Sequence, residues 1–345
     1  MTKVKKIAVE ADATEQRLDR WLKRQIPVLS QTKIEKMCRK GELRIDSCRA
    51  KPSTRLKLGQ VVRIPPLSET YKKAPKKNIY LAANQVELIK STVIFKDEDI
   101  IIINKPSGLA VQGGSRQRNN HVDAMLMALQ EENYEKPRLV HRLDKDTSGI
   151  LLVARTRKAA DKLTNSFKQR KITKLYWALV SGNLTEPTGT IRYSLSRKKD
   201  RVLGDKMICV QPNEVNQFTD AKSAQTDYVV IENIPKLFSW IGLLPVTGRT
   251  HQIRAHMAAI ACPIIGDKKY GNPENLKKTE KPTRNISEIG EEKLHLHARS
   301  ISFTHPIKGN DVFFEAELPS HMLKTWSVFG WEQKSAPKNP FKEYR

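Results

Sequence analysis

Five charged or titratable side chains lie within six positions of one short segment of the chain. The segment reads LVHRLDKDTSGILLVART and spans residues 139–156. The five side chains are those of His141, Arg142, Asp144, Lys145 and Asp146. A turn-forming Thr-Ser-Gly sequence and an apolar run at 150–154 follow at once, so the charges lie directly against a predicted buried strand. A carboxylate anchored in this way can be aimed rigidly, as nucleophilic catalysis requires.

Two further blocks combine polar residues with predicted strands or helices. One reads KITKLYWALVSG and contains Lys174 and Tyr176; the other, TGRTHQIRAHMAAIACPIIGDKKYG, begins at Thr247. His251 and His256 are five positions apart, not the four that would place two zinc ligands on one helical face. The sequence has neither a GxSxG elbow nor a Walker loop. A carboxylate, a phenol and several guanidinium groups remain, which suits nucleophilic carboxylate chemistry on a polyanion.

The charge balance also predicts a polyanionic partner. The 345 residues carry a net charge of +25, and nucleic acid is a stronger candidate than an anionic membrane surface. The longest apolar runs are of strand length, and the N-terminus lacks the apolar core of a signal peptide, so we expect a cytoplasmic protein that does not enter a membrane. The four cysteines form no CxxC pair, and no metal site is expected.

The first quarter of the chain differs from the rest in charge. Residues 1–90 contain 22 Lys and Arg against 9 Asp and Glu, which gives about half of the total excess. Two short helices are predicted there, one with Leu18, Trp21 and Leu22 on a single face and one with Ile34 and Met37. Short strands follow. The composition predicts four segments, which are a basic domain at 1–66, a linker at 67–90, a larger domain at 91–330 and a tail at 331–345.

The larger domain is predicted to be α+β, because its strands and helices alternate without a regular βαβ rhythm. Strands are expected in IFKDEDIIIIN, KLYWALVSG, AQTDYVVIE, FSWIGLLPV and SISFTH, and helices in HVDAMLMALQEE and TRKAADKLTNSFKQRKI. Thr156 is the expected N-cap of the second helix. A polar insertion at 272–292 predicts a mobile loop.

These motifs resemble a known family. Together HRLDKDTSG, NKPSG, GRTHQIRAH and PIIGDKKYG resemble the RluA family of pseudouridine synthases, from about Ile94 to Leu318. The N-terminal part resembles an S4 RNA-binding domain through Arg17-Leu18-Asp19, Ser30, Gly41 and residues 59–62. The resemblance implies a pseudouridine synthase fold, with a mixed, mainly antiparallel sheet and flanking helices, preceded by a small S4-like α/β domain.

The resemblance also implies roles for individual residues. Asp144 would be the nucleophile or essential base, Arg254 its ion-pair partner, and Tyr176 the ring that stacks on the flipped base. Arg142 would enter the RNA stack in place of the flipped uridine. The remaining candidates for substrate binding are His141, Arg249 and Lys105. Of these, Lys105 is expected behind the site, and Arg249 is left open between substrate contact and support of its own turn. No cofactor and no metal are implied, and His251, His256 and Asp146 are interpreted as supporting residues.

The implied function is conversion of specific uridines to pseudouridine. The motifs favour the subtype that modifies several separated uridines in 23S large-subunit ribosomal RNA, naked or partly assembled, and a monomer is expected. Gln112 stands where that subtype usually has histidine, and Ala261 where glycine is usual. The same chemistry on transfer RNA or another ribosomal site, and a non-catalytic RNA-binding assembly factor, are the alternatives.

Overall fold

The computed structural model of the chain divides into two compact units, Met1–Asn78 and Ile79–Arg345. It describes residues 4–67, 80–113, 119–132, 134–182, 184–198, 205–271 and 293–342. Among the helices in these ranges, none has both the length and the apolar character needed to cross a membrane. The loop predicted at 272–292 and residues 68–79, half of the predicted linker, lie outside the described residues.

The first unit contains a small antiparallel sheet and two helices. Its elements are β1 (Lys5–Ala8), α1 (Leu18–Gln25), α2 (Gln31–Arg39), β2 (Arg44–Ile45), β3 (Cys48–Arg49) and β4 (Val61–Ile64), with strand order β1-β4-β2-β3. Both predicted apolar helix faces are buried in one core. Ser30 caps α2 by accepting a hydrogen bond from the amide of Lys33. The predicted helical hairpin followed by short strands is therefore confirmed.

The second unit is built on one large sheet. Its strands are β5 (Val93–Lys96), β6 (Ile100–Lys105), β7 (Arg138–Leu139), β8 (Ser148–Ala154), β9 (Thr173–Ser181), β10 (Thr188–Lys198), β11 (Lys206–Val210), β12 (Lys222–Ile234), β13 (Phe238–Pro245), β14 (Leu296–Thr304) and β15 (Asp311–Glu315). The strand order is β11-β10-β12-β13-β9-β14-β8-β6-β5, with β15 on β14 and β7 on β8. Only the β8–β14 pair is parallel among the described strand pairs. The predicted α+β fold with a mixed, mainly antiparallel sheet is confirmed.

Five helices flank this sheet in the described part of the unit. They are α3 (Ala83–Ser91), α4 (Val122–Met125), α5 (Arg157–Lys168), α6 (Gln252–Ala259) and α7 (Ser320–Val328). Thr156 caps α5 as predicted, because its hydroxyl accepts from the amide of Ala159. The helix predicted after residue 120 is shorter than expected, since a 3₁₀ turn, Leu126–Leu129, replaces its second half.

Two of the predicted boundaries differ from the structure. The last residues of the predicted linker form α3, because Gln85 closes its first turn through the Ala82 amide and Ile89 is buried in the main core. The predicted tail is also part of the fold, since Phe341 is buried against an aromatic cluster around Trp240. In both segments a few apolar side chains anchor the chain, and the mainly polar sequence around them gave no periodic signal.

Strand β8 is the element that positions the charged segment. It is buried along its whole length, between β6 and β14. Gly149, at its second position, has φ +103, and a Cβ there would lie 2.3 Å from the carbonyl oxygen of Ala298. Only glycine fits this close approach. The Thr-Ser-Gly sequence therefore fixes the point at which the charged segment enters the core.

Candidate active site

The charged segment lines a cleft of about 780 Å³ on the sheet of the second unit. This volume lies within the range of roughly 300–1,000 Å³ that is usual for ligand pockets. Six lining residues are basic, and they are Arg142, Lys168, Arg170, Lys174, Arg249 and Arg254. Among the described lining residues, Asp144 alone carries a carboxylate. A polyanion would find one anionic group here, surrounded by cations.

His141 ties the start of this segment to β8. Its Nε2 accepts a hydrogen bond of 2.8 Å from the amide of Leu152, and its ring stacks on Phe167 at 4.6 Å. Burial, together with the nearby Lys174, lowers the pKa of His141 to about 3. The ring is therefore neutral, and its two contacts hold the start of the loop against β8 and α5. His141 also lines the cleft, and its role in substrate binding stays a prediction.

Lys105 ties the other end of the segment to the NKPSG loop. Its side chain is fully buried, and Nζ donates to the carbonyl oxygens of Pro106, Leu109 and Lys145 at 2.8–2.9 Å. Burial lowers its pKa to about 7, and the three carbonyls match the three N–H bonds of the protonated form. The structure thus places Lys105 in the interior, and it is not among the residues that line the cleft. Ser107 adds a bond to the carbonyl of Asp146.

Asp144 lies between these two anchors. Its side chain is 19 % exposed, and no hydrogen bond joins it to any residue in the described ranges. Its Oδ2 atom lies 3.8 Å from Nη1 of Arg254 and 3.9 Å from Nε2 of His251. Both neighbours approach the same oxygen, so Oδ1 is left for a substrate.

Arg254 has a second carboxylate partner that sequence reasoning did not identify. Its Nε and Nη2 atoms donate to the two oxygens of Asp267, each at 2.7 Å. Arg254 thus forms a planar two-bond fork with Asp267, and its remaining Nη1 lies at ion-pair distance from Asp144. Burial lowers the pKa of Arg254, but its hydrogen bonds to the negatively charged Asp267 outweigh that effect, and the net result is a raised pKa.

Asp267 belongs to the PIIGDKKYG motif. It is buried and also accepts from the amides of Lys269 and Tyr270. Burial would raise its pKa, yet the bonds from Arg254 hold the pKa of Asp267 below its usual value. The motif itself was the signal for this residue, because an aspartate after a glycine turn suggests a fixed carboxylate; its partner could not be inferred from spacing.

Tyr176 enters the cleft from β9. The side chain is largely buried, and among the residues that the structure describes none hydrogen-bonds its hydroxyl. Burial, with the charge of Asp144 as a smaller cause, raises the pKa of Tyr176 well above its ordinary value. The phenol is therefore protonated at neutral pH, and its hydroxyl is free to bind a substrate.

Three of the arginines that line the cleft are exposed, and two of them, Arg142 and Arg249, are sequence-predicted site residues. Arg142 is exposed and forms no ion pair or hydrogen bond with described residues, so its side chain is available to a ligand. Arg249 is also exposed, but its Nε donates to the carbonyl of Ser223 at 3.2 Å. Both interpretations of Arg249 thus have a structural basis, because one contact supports the turn and the rest of the guanidinium faces solvent.

A buried amide holds the GRTHQIR turn in place. Gln252 accepts from the amide of Arg249 and the hydroxyl of Thr247, and it donates to the Gln225 carbonyl and to Thr226 on β12. This network joins the start of α6 to the sheet. Sequence reasoning quoted Gln252 but gave it no role, because a glutamine reveals its partners only in the fold.

The described residues include one group of potential metal ligands, Asp97, Asp99 and His305. Asp97 already accepts from the amides of Asp99 and Ile100, from Lys308 and from His305. These bonds close the turn between β5 and β6. None of the three residues lines the cleft, and the group is explained by its role in the turn.

Comparison with known proteins gives consistent matches. A family model described as RNA pseudouridylate synthase matches residues 99–259, and the S4 domain model matches residues 16–62. The ribosomal large subunit pseudouridine synthase C of Haemophilus influenzae is 35 % identical over 323 residues, covering 93 % of each chain. The protein of that name from Vibrio vulnificus is 34 % identical, covering 94 % of this chain and 96 % of the relative.

A solved structure shares the fold of the larger unit. Human RNA pseudouridylate synthase domain containing 4 superposes with a TM-score of 0.58 at 25 % identity, over 72 % of this chain and 96 % of its own. The alignments to the bacterial relatives extend over nearly the full length of both chains and include all of the cleft residues. The resemblance read from the sequence is confirmed, and this chain belongs to the RNA pseudouridylate synthase family.

Proposed function

We propose that this RNA pseudouridine synthase isomerises uridines of large-subunit ribosomal RNA at the cleft around Asp144. The observation that carries the proposal is the composition of the cleft, in which one carboxylate and one protonated phenol lie among six basic side chains. The names of the full-length relatives support ribosomal RNA as the substrate class. The basic first unit, which matches the S4 model, supports a second contact with RNA.

The reaction detaches uracil from the ribose and rejoins it through carbon, so an N1–C1′ bond breaks and a C5–C1′ bond forms. A proton leaves C5 and one is gained at N1. Asp144 acts as the nucleophile or base through Oδ1, since its contacts with Arg254 and His251 both involve Oδ2. Arg254 is the cation that lies at ion-pair distance from this carboxylate and orients it.

A uracil that flips out of the RNA needs a surface to stack on, and the position that it leaves in the RNA base stack has to be filled. Unstacking costs a few kcal/mol, and stacking on an aromatic ring offsets about 1–3 kcal/mol of it. Tyr176 provides that ring within the cleft. Arg142, which is exposed at the rim, enters the RNA stack in place of the uridine. His141 and Lys105 hold the loop, and Arg249 contacts the RNA backbone from the rim.

The experiment that tests the proposal compares pseudouridine positions in total RNA from cells with and without this gene. We expect sites in large-subunit ribosomal RNA to disappear and to return when the wild-type gene is restored. Loss of sites in transfer RNA only would reassign the substrate. An unchanged pattern would favour the non-catalytic assembly factor and contradict the proposal.

Removal of residues 1–66 is expected to leave the second unit folded and to weaken RNA binding. The first unit has its own core, and the first 90 residues carry about half of the excess positive charge. Fewer phosphate contacts mean a shallower dependence of log Kd on log salt concentration. The measurements are circular dichroism on melting and a salt titration of RNA binding. Unfolding of the shortened chain, or an unchanged salt slope, would contradict two separate units.

A further inference from the structure

His251 adopts a backbone conformation that histidine rarely adopts. It lies just before α6, with φ 51 and ψ 21, in the left-handed region. A residue with a Cβ is strained there by roughly 1–2 kcal/mol, which is why glycine or asparagine is usual. The strain thus suggests that the imidazole itself is required.

The imidazole links Tyr270 to Asp144. Its Nδ1 lies 3.0 Å from the hydroxyl of Tyr270, and that hydroxyl already accepts a hydrogen bond of 2.8 Å from the amide of Met207. Among the described residues Nδ1 is the one acceptor that pairs with this hydroxyl, so we assign the phenol proton to the bond with Nδ1. The ring proton is then on Nε2, the nitrogen that lies 3.9 Å from Oδ2 of Asp144.

The charge state of the ring agrees with this tautomer. Burial lowers the pKa of His251, and Asp144 opposes that effect less strongly. The other charged groups that face it are Arg254, Asp267 and Lys269. Burial also raises the pKa of Tyr270 to about 12, so this phenol keeps its proton. At neutral pH the pair therefore presents an uncharged N–H donor to the carboxylate.

We propose that His251, held by Tyr270, is a positioning residue that directs an N–H at Oδ2 of Asp144 and so leaves Oδ1 aimed at the substrate. This inference rests on the proposed function, since it concerns how Asp144 is oriented for that reaction. A separation of 3.9 Å is longer than a hydrogen bond, and contacts of this kind commonly shorten when the substrate binds.

His256 provides the contrast for a purely supporting role. It lies within α6, is fully buried, and its Nδ1 pairs with Thr226 at 3.0 Å. Unlike His251 it does not line the cleft, and its backbone is helical. The same substitution at the two positions therefore separates loss of packing from loss of the donor to Asp144.

Two replacements of His251 test its contact with Tyr270 and its contact with Asp144 separately. Asparagine places its amide near the position of Nδ1, so it keeps a partner for Tyr270, and it tolerates the left-handed conformation well. It has no group at the position of Nε2. Glutamine reaches that position with an N–H but fits the backbone less well. Stability and catalysis should therefore rank the two variants in opposite order.

The test measures single-turnover pseudouridine formation at saturating RNA, RNA affinity and melting temperature for the full chain. We expect His251→Asn to melt like the wild type and to react about 10- to 100-fold more slowly, the range for losing one hydrogen bond to a charged group. We expect His251→Gln to recover much of the rate despite a lower melting temperature. RNA affinity should change little in both, and His256→Asn should keep a rate within about twofold of the wild type, because it does not contact the site.

Three outcomes would overturn the proposal. Rates that follow melting temperature across the variants would assign His251 to structure alone. A wild-type rate in His251→Asn would show that the donor to Asp144 is not used. A wild-type protein that forms no pseudouridine in ribosomal RNA would overturn the proposed function first and this inference with it, and the wild-type arm distinguishes that case from the other two.

Discussion

Replacement of Asp144 with asparagine is expected to abolish pseudouridine formation while RNA binding is retained. The amide has the shape of the carboxylate, but it is neither a nucleophile nor a base at neutral pH. Removal of a residue that performs the covalent step commonly lowers the rate by about 10⁴-fold or more. The fold should tolerate the change, because Asp144 forms no hydrogen bond within the described residues and is partly exposed.

RNA affinity should be unchanged or slightly higher in this variant. The six basic side chains of the cleft remain, and one negative charge that repels phosphate is lost. The measurements are tritium release from C5-labelled uridine and a binding titration at fixed salt. Asp144→Ala serves as a control for deamidation, since alanine cannot revert to aspartate. Turnover by a preparation free of wild-type enzyme would remove Asp144 from the nucleophile or base role.

Local sequence rules predicted much of the fold. Apolar β-branched runs identify strands such as β6 and β8, and Thr156 identifies the start of α5, because these signals depend only on neighbours along the chain. Helix α3 and the packing of the C-terminal segment were not predicted, because they depend on residues that are distant along the chain. In α3 and in the C-terminal segment, a few apolar residues pack against a core that is distant in sequence, and no periodic pattern predicts these contacts.

The site was predictable as a set of residues and less so as a set of contacts. Asp144, Tyr176 and Arg254 all line one cleft, although they come from separate parts of the chain. The pairing of Arg254 with Asp267 depends on how the turn after α6 folds back, which residue spacing does not encode. The burial of Lys105 is hidden for a similar reason, since lysine is almost always exposed and only three carbonyls make its burial tolerable.

The Arg254–Asp267 pair leads to the second large effect. Arg254→Ala is expected to abolish catalysis and also to lower the free energy of unfolding by about 3–5 kcal/mol, the usual cost of leaving a buried charge without its partner. The stability loss arises at Asp267, which is fully buried at its side chain. The catalytic loss arises at Asp144, which loses its nearby cation. Arg254→Ala therefore changes both the stability of the fold and the environment of Asp144, and a low rate alone would not assign Arg254 to the reaction.

The double variant Arg254→Met with Asp267→Asn separates these causes. It removes both charges of the buried pair, and such replacements by neutral groups of similar size are often close to neutral for stability. We expect a urea midpoint well above that of Arg254→Ala, near-normal RNA affinity and a single-turnover rate still lower by orders of magnitude. Asp267→Asn alone keeps a cation beside Asp144 and should retain more activity than either. If the stable double variant reacted at a near-normal rate, Arg254 would be a structural partner of Asp267 only, and Asp144 would have to act without its cation.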